Sequence, residues 1–310
     1  MNANRIDFRR YCVISIWFGC NNSCPICMLS KVKDNLPMVG YEVFKRVMIY
    51  LMREVRYENI ILSGAEVTTF ADLEKYVRFT ASLGCFKKIQ IQTNGRRLCD
   101  RGYLESLVRS GVNEFFVSIH GFEKTHEAAT GVRGSFRQTL EGLRNLSRCQ
   151  DVNVISNTVL TNDNWPEIPE FVRFLGKQCV SEIHIWNYFP MEDGKYSNND
   201  LIVPVGRLRS MLPELEDAAR QAGKALVLKS FPMCLPVNPP VYLDSVFPET
   251  VLPDLFWKEF DKCGFGQCAH RQEGQCVSRE CWGLSSSYMQ MFGNERKLLT
   301  PIKRLSAGHF

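Results

Sequence analysis

Short apolar runs alternate with amphipathic stretches along the first 230 residues. The run "YCVISIW" at 11–17 is β-branched and apolar, the pattern of a buried strand. The stretch "YEVFKRVMIYLMREV" at 41–55 repeats its apolar residues every three or four positions, which predicts a helix. The alternation then continues. Strands are predicted at "NIILSG" (59–64), "KKIQIQTNG" (87–95), "VNEFFVSIHG" (112–121), "VNVISNTVL" (152–160) and "SEIHIWNYF" (181–189). Helices are predicted between them at 70–84, 98–111, 134–149 and 165–178. After a longer loop come a helix at 205–223 and a short strand, "ALVLKS", at 225–230. Several of these helices end at Gly, which supplies a left-handed cap without steric cost.

Strands that alternate with helices imply a parallel sheet with right-handed crossovers. Six repeats before residue 190 exceed a small doubly wound domain. They predict an α/β fold, a partial (β/α)6 TIM-type barrel over residues 1–230, with its chemistry at the C-terminal strand ends. Those ends carry "GCNNSC", "LSGAEVTT", "QTNG", "SIHG", "SNTVLTN" and "WNYFP", rich in Gly, Ser, Thr and Asn. Such loops suit a polar ligand, although each taken singly is also ordinary turn chemistry. After about residue 231 the periodicity stops, and "FPMCLPVNPPVYLDSVFPETVLPDLFW" is Pro-rich and irregular. A second, small Cys-rich domain is expected over 231–310, with metal ligation as its source of order.

Composition narrows the class. A chain of 310 residues that is 45% hydrophobic can bury a large core. No apolar run is long enough to span a bilayer, and the N-terminus "MNANRIDFRRY" has no apolar signal core. The expected location is the cytoplasm. Thirteen cysteines in that reducing compartment need a role other than disulfides. The net charge of +5 is spread along the chain with no basic tract, which argues against a nucleic-acid partner.

The chemistry begins at Cys20, Cys24 and Cys27, in the loop after the first predicted strand. Three thiols leave a site incomplete, since disulfides use pairs and closed zinc sites use four ligands. A zinc site with a distant fourth ligand is one completion. A 4Fe–4S cube with one iron left open to a small molecule is the other.

The Cys-x3-Cys-x2-Cys triplet after a first barrel strand resembles the hallmark of the radical SAM superfamily. The likeness continues in register for about 180 residues. Ser63, Gly64, Ala65 and Glu66 resemble the stretch that receives the amino group of S-adenosylmethionine (SAM), with Ala65 and Val67 replacing the usual Gly and Pro. Ile26 stands where an aromatic residue is usual. By the same resemblance Thr93 and Asn94 sit near SAM, Ser118 contacts its ribose or carboxylate, and Asn157 ends the fifth strand beside it. Arg133, in "HEAATGVRGSF", is the candidate for the SAM carboxylate. His120, His126 and His184 are expected to be satisfied polar or surface groups and not ligands. Cys12, Cys85, Cys99, Cys149 and Cys179 are expected to be core or neutral thiols.

The tail resembles the twitch or SPASM-like ending of this superfamily, with Cys281, Gly283 and Tyr288 in place. That resemblance implies one auxiliary 4Fe–4S cluster on Cys234, Cys268, Cys276 and Cys281, with Cys263 spare or replacing Cys268. It also implies reductive cleavage of SAM to a 5′-deoxyadenosyl radical, hydrogen abstraction from a peptide or small-molecule substrate, and a flavodoxin- or ferredoxin-type electron donor. Oxidation or cross-linking ranks before epimerisation. RNA modification, or a non-catalytic iron–sulfur or zinc protein, are the alternatives. With about ten residues before the first strand, no fused peptide-recognition domain is expected.

Overall fold

The computed structural model describes residues 5–30, 32–191, 199–251 and 255–303. Among these residues, nine strands form one sheet in the order β8-β7-β6-β5-β4-β3-β2-β1-β9. They are β1 (Tyr11–Trp17), β2 (Asn59–Gly64), β3 (Lys88–Thr93), β4 (Glu114–Ser118), β5 (Asn153–Leu160), β6 (Glu182–Asn187), β7 (Ala225–Lys229), β8 (Val241–Asp244) and β9 (Glu249–Thr250). Every neighbouring pair is parallel. The predicted α/β partial barrel is therefore present, as an open sheet with three strands beyond the six repeats.

The helices are α1 (Tyr41–Glu54), α2 (Leu73–Ser82), α3 (Arg101–Ser110), α4 (Glu123–Thr130), α5 (Ser135–Leu146), α6 (Ile168–Gly176) and α7 (Val205–Ala222), followed by α8 (Leu255–Phe260), α9 (Ala269–Gln272) and α10 (Ser286–Phe292). Local signals set their ends. Asp100 caps α3 by accepting the Tyr103 N–H, and Gly111 ends it at φ 119°. The short helix α4 was not legible as a helix, because the residues it buries are the polar His126 and Thr130.

Side chains alternate across the sheet, as strand geometry requires. Cys12, Ile14, Ile16, Ile60, Leu62, Phe115 and Val117 face the helices and form the large core. Tyr11, Val13, Ile61, Phe116 and Ile155 face inward and pack with Phe8. The inward layer also holds charge, and that charge is paired. Glu114 accepts from Tyr11 Oη (2.8 Å), Gln90 Nε2 (2.8 Å) and Asn153 Nδ2 (2.7 Å). Lys229 is fully buried and pairs with Asp244 at 2.8 Å. Unpaired, either ion would be costly at that depth.

The region after residue 230, expected as a separate domain, sends two strands back into the sheet. β8 joins β7 at one edge and β9 joins β1 at the other. Asp244 and Glu249 are five residues apart, so the two edges lie within about 18 Å of each other. A single short segment thus bridges the open side of the barrel, with Phe247 in its middle. The Pro-rich sequence hid these strands, since edge strands tolerate prolines and β9 is only two residues long.

Candidate active site

A cavity of about 320 Å³ opens at the C-terminal strand ends. Cys20, Cys24 and Cys27 lie on one wall, and Ser63, Gly64, Ala65, Thr93, Asn94, Ser118 and Asn157 line the adjoining surface. The groups that the sequence placed at separate strand ends therefore converge, although Asn157 lies within β5 and not at its end, because pairing with β6 continues to Leu160.

Each wall is locked by its backbone. Gly64 has φ 145°, and a Cβ there would meet the Trp17 carbonyl oxygen at 1.8 Å, so only glycine lets β2 end against β1. Ala65 N–H then donates to Trp17 O (2.8 Å) and Glu66 N–H to Gly19 O (3.0 Å). The cysteine loop is braced from the other side. Arg96 donates through Nη1 to Asn22 Oδ1 (2.8 Å) and to the Asn21 carbonyl, and through Nε to Gln138 Oε1 (2.7 Å). Arg96 directly follows "QTNG", but nothing in its sequence context says that it reaches the cysteine loop.

Two expected SAM contacts lie elsewhere. Glu66 is 1% exposed and does not line the cavity. Its Oε1 accepts from Thr68 N (3.1 Å), Thr68 Oγ1 (2.5 Å) and Thr93 Oγ1 (2.7 Å), and its Oε2 from Asn94 N (2.6 Å). Burial pushes this carboxyl up, and the four donors oppose that shift. Glu66 thus fastens the second strand-end loop to the third. Arg133 is exposed and also lies outside the cavity lining. Among the described residues, Lys33 is the only formally charged side chain that lines the cavity.

His120 lines the cavity as well, which sequence reasoning did not anticipate. Its Nδ1 accepts the Val159 N–H (3.2 Å), and His126 Nδ1 accepts the His120 N–H (3.1 Å). Burial holds His120 down to about 4 and His126 to about 3, so both rings are neutral. Each ring accepts a backbone N–H through Nδ1, but His126 Nε2 is buried without a hydrogen-bond partner, so the expected satisfaction of His126 is only partial.

In the tail, Cys281 Sγ accepts from Met233 N (3.4 Å) and Gly283 N (3.3 Å). Cys268 and Cys281 are both near enough to Cys234 to raise its thiol, after burial itself. Cys276 N–H donates to His270 O (3.1 Å) just beyond α9. Cys263 is fully buried among aromatic rings that include Trp282, and its thiol donates to Pro190 O at 3.3 Å.

A protein-family model described as the radical SAM superfamily matches residues 14–175. The chain belongs to the radical SAM superfamily. It is an enzyme of that family, which uses a 4Fe–4S cluster and SAM. This radical SAM chain is 27% identical over 184 residues to a probable GTP 3′,8-cyclase of Saccharolobus islandicus, covering 59% of this chain and 58% of that protein. The chain thus spans little more than half the length of the curated relatives of that name. It is 30% identical over 121 residues to a 7,8-dihydro-6-hydroxymethylpterin dimethyltransferase of Methanocaldococcus jannaschii, covering 38% and 24%. Among solved structures, anSMEcpe with bound AdoMet and Cp18Cys peptide aligns at TM-score 0.58 and 16% identity over 93% of this chain and 91% of that one. SuiB of Streptococcus suis bound to SAM aligns at TM-score 0.56 and 18% identity over 83% and 55%. At these identities the structural likeness is one of fold.

The site fits the family's cofactors. Three thiols share one wall, uncharged polar groups line the next, and Asn157 Oδ1 is buried there without a hydrogen-bond partner. Burial, with Cys27 and Cys20 adding to it, pushes the Cys24 thiol up to about 12. Cys20, Cys24 and Cys27 would hold the cluster as thiolates, and iron bound there would offset the cost of deprotonating them. Among the described residues no helix is long and apolar enough to cross a membrane.

Proposed function

We propose that this enzyme carries out radical chemistry on a peptide substrate held in the mouth of the barrel. Cys20, Cys24 and Cys27 would hold the cluster, and Ser63–Ala65, Thr93, Asn94, Ser118 and Asn157 would line the SAM site. When bound, the cluster and SAM supply a primary carbon radical that removes hydrogen from an unactivated position. The chain supplies position and exclusion of water. Gly64 and the Glu66 bridge hold the SAM-facing loops, and the segment joining β8 to β9 closes the open side of the barrel.

One observation supports a peptide over the rival nucleotide. A triphosphate needs several cations around it, and the described cavity lining offers Lys33 alone. The GTP 3′,8-cyclase likeness favours the rival, but it covers only part of each chain. In the tail, Cys234, Cys268, Cys276 and Cys281 would hold an auxiliary 4Fe–4S cluster, leaving Cys263 as a packing residue. Oxidation or cross-linking is the favoured outcome, with a flavodoxin- or ferredoxin-type donor in the cytoplasm. The test is anaerobic reaction of the reconstituted enzyme with SAM, dithionite and a deuterated peptide pool. Deuterium in the released 5′-deoxyadenosine is the expected result. Release stimulated by GTP and not by peptides would overturn the reading.

A further inference from the structure

The cavity lining also includes a chemically distinct, aromatic part. Trp186 and Phe189 from the end of β6, Phe247 from the edge-bridging segment, and Trp257 and Phe260 from α8 all line it. These rings pack against one another and against Trp282. Phe247 stacks on Trp282 with centroids 4.3 Å apart at 21°, and meets Trp186 edge to face at 5.1 Å. Phe189 stacks on Trp282 at 5.7 Å and meets Phe260 edge to face at 5.3 Å. Trp282, directly after Cys281, is therefore the hub that ties the tail to this wall. Trp186 Nε1 is buried without an acceptor, a donor already stripped of water.

We propose that this wall selects a substrate presenting an uncharged planar aromatic group. The inference rests on the peptide reading for its favoured source, an aromatic side chain. An aromatic group gains both apolar burial and oriented ring contacts on such a surface. The rings are held by one another, so little ordering cost falls on binding. A charged side chain would lose its hydration against aromatic rings with only Lys33 as a formal charge among the described lining residues. The same wall would also accept a free neutral heterocycle, so the test separates the two sources.

The experiment is equilibrium binding to the anaerobically reconstituted holoenzyme with SAM and no reductant. The probes are N-acetyl-Ala-X-Ala-amide tripeptides with X as Tyr, Phe, Leu, Lys or Asp, and 6-hydroxymethylpterin. Tyr and Phe probes should bind roughly tenfold tighter than Lys and Asp probes, with Leu between. Phe247→Leu, which keeps apolar volume, and Trp257→Leu should each erase most of that preference. SAM affinity measured alongside shows whether the cavity has kept its shape. Tripeptide binding independent of X, or a preference unchanged in both variants, overturns the aromatic wall and leaves the peptide reading standing. Tight pterin binding lost in the same variants, with no tripeptide bound, keeps the wall and overturns the peptide reading. Binding of no probe overturns the proposal.

Discussion

The backbone N–H of Ser23 donates to the carbonyl of Thr130 at 2.9 Å, tying the cysteine loop to the C-terminal end of α4. Gly131 follows at φ 67°, and a Cβ built on it would stand 2.5 Å from Ser23 O. Gly131→Ala should therefore strain its own backbone and push the cysteine loop away. The expected cost is about 1–3 kcal/mol of stability, together with reduced iron after reconstitution. Chemical denaturation and iron per chain check both. An alanine variant with unchanged iron and midpoint would remove α4 as a brace.

Replacing Cys20, Cys24 and Cys27 together by Ala should remove about four irons per chain and abolish SAM cleavage. Iron and sulfide assays with 5′-deoxyadenosine release measure this. Full SAM cleavage by the triple variant would take the cluster away from this loop.

The tail prediction uses that same triple variant. Adding Cys281→Ala should remove its remaining iron, while adding Cys263→Ala should leave it in place. The reason is position, since Cys263 donates to Pro190 O inside an aromatic cluster and Cys281 lies with Cys234 and Cys268. Equal loss in both would place Cys263 among the ligands.

Glu66→Gln separates a brace from a ligand contact. Four donors converge on the carboxylate, and an amide would turn its own donors toward some of them. The expected loss is about 1–3 kcal/mol of stability, accompanied by weaker SAM binding through the displaced Thr93 and Asn94. Denaturation midpoint and SAM calorimetry, taken together, decide the matter. Weaker SAM binding at unchanged stability would instead return Glu66 to the SAM amino group.

Stability should fall as pH drops from about 6.5 toward 4. His120 and His126 are held neutral by burial, at about 4 and about 3, against the ordinary histidine value of 6.5. The unfolded chain then binds more protons than the native one throughout that window, so acid favours unfolding. Each histidine contributes on the order of 2 kcal/mol of loss by pH 5. Protonating either Nδ1 also breaks a bond from a backbone N–H. Denaturation midpoints at pH 7 and pH 5 should converge in His126→Asn relative to wild type. An equal pH response in both proteins would assign the acid sensitivity to other groups.

The sequence by itself determined the strand order and every helix but α4 through residue 230, because each of those elements carries its own period. It also determined the cysteine triplet and the polar strand-end loops, since a parallel barrel brings those ends together wherever the intervening helices lie. Only the tertiary structure decided which groups in those loops face the cavity. Glu66 and Ala65 are adjacent in the chain, yet one is consumed by four hydrogen bonds, two of them from the next strand-end loop, and the other lines the cavity. Arg96 and Lys33 likewise gain their roles from neighbours brought in by folding. The tail resisted reading for the same reason. Its order comes from pairing at the two edges of the sheet and from rings packed around Trp282, both long-range contacts that leave no local periodicity.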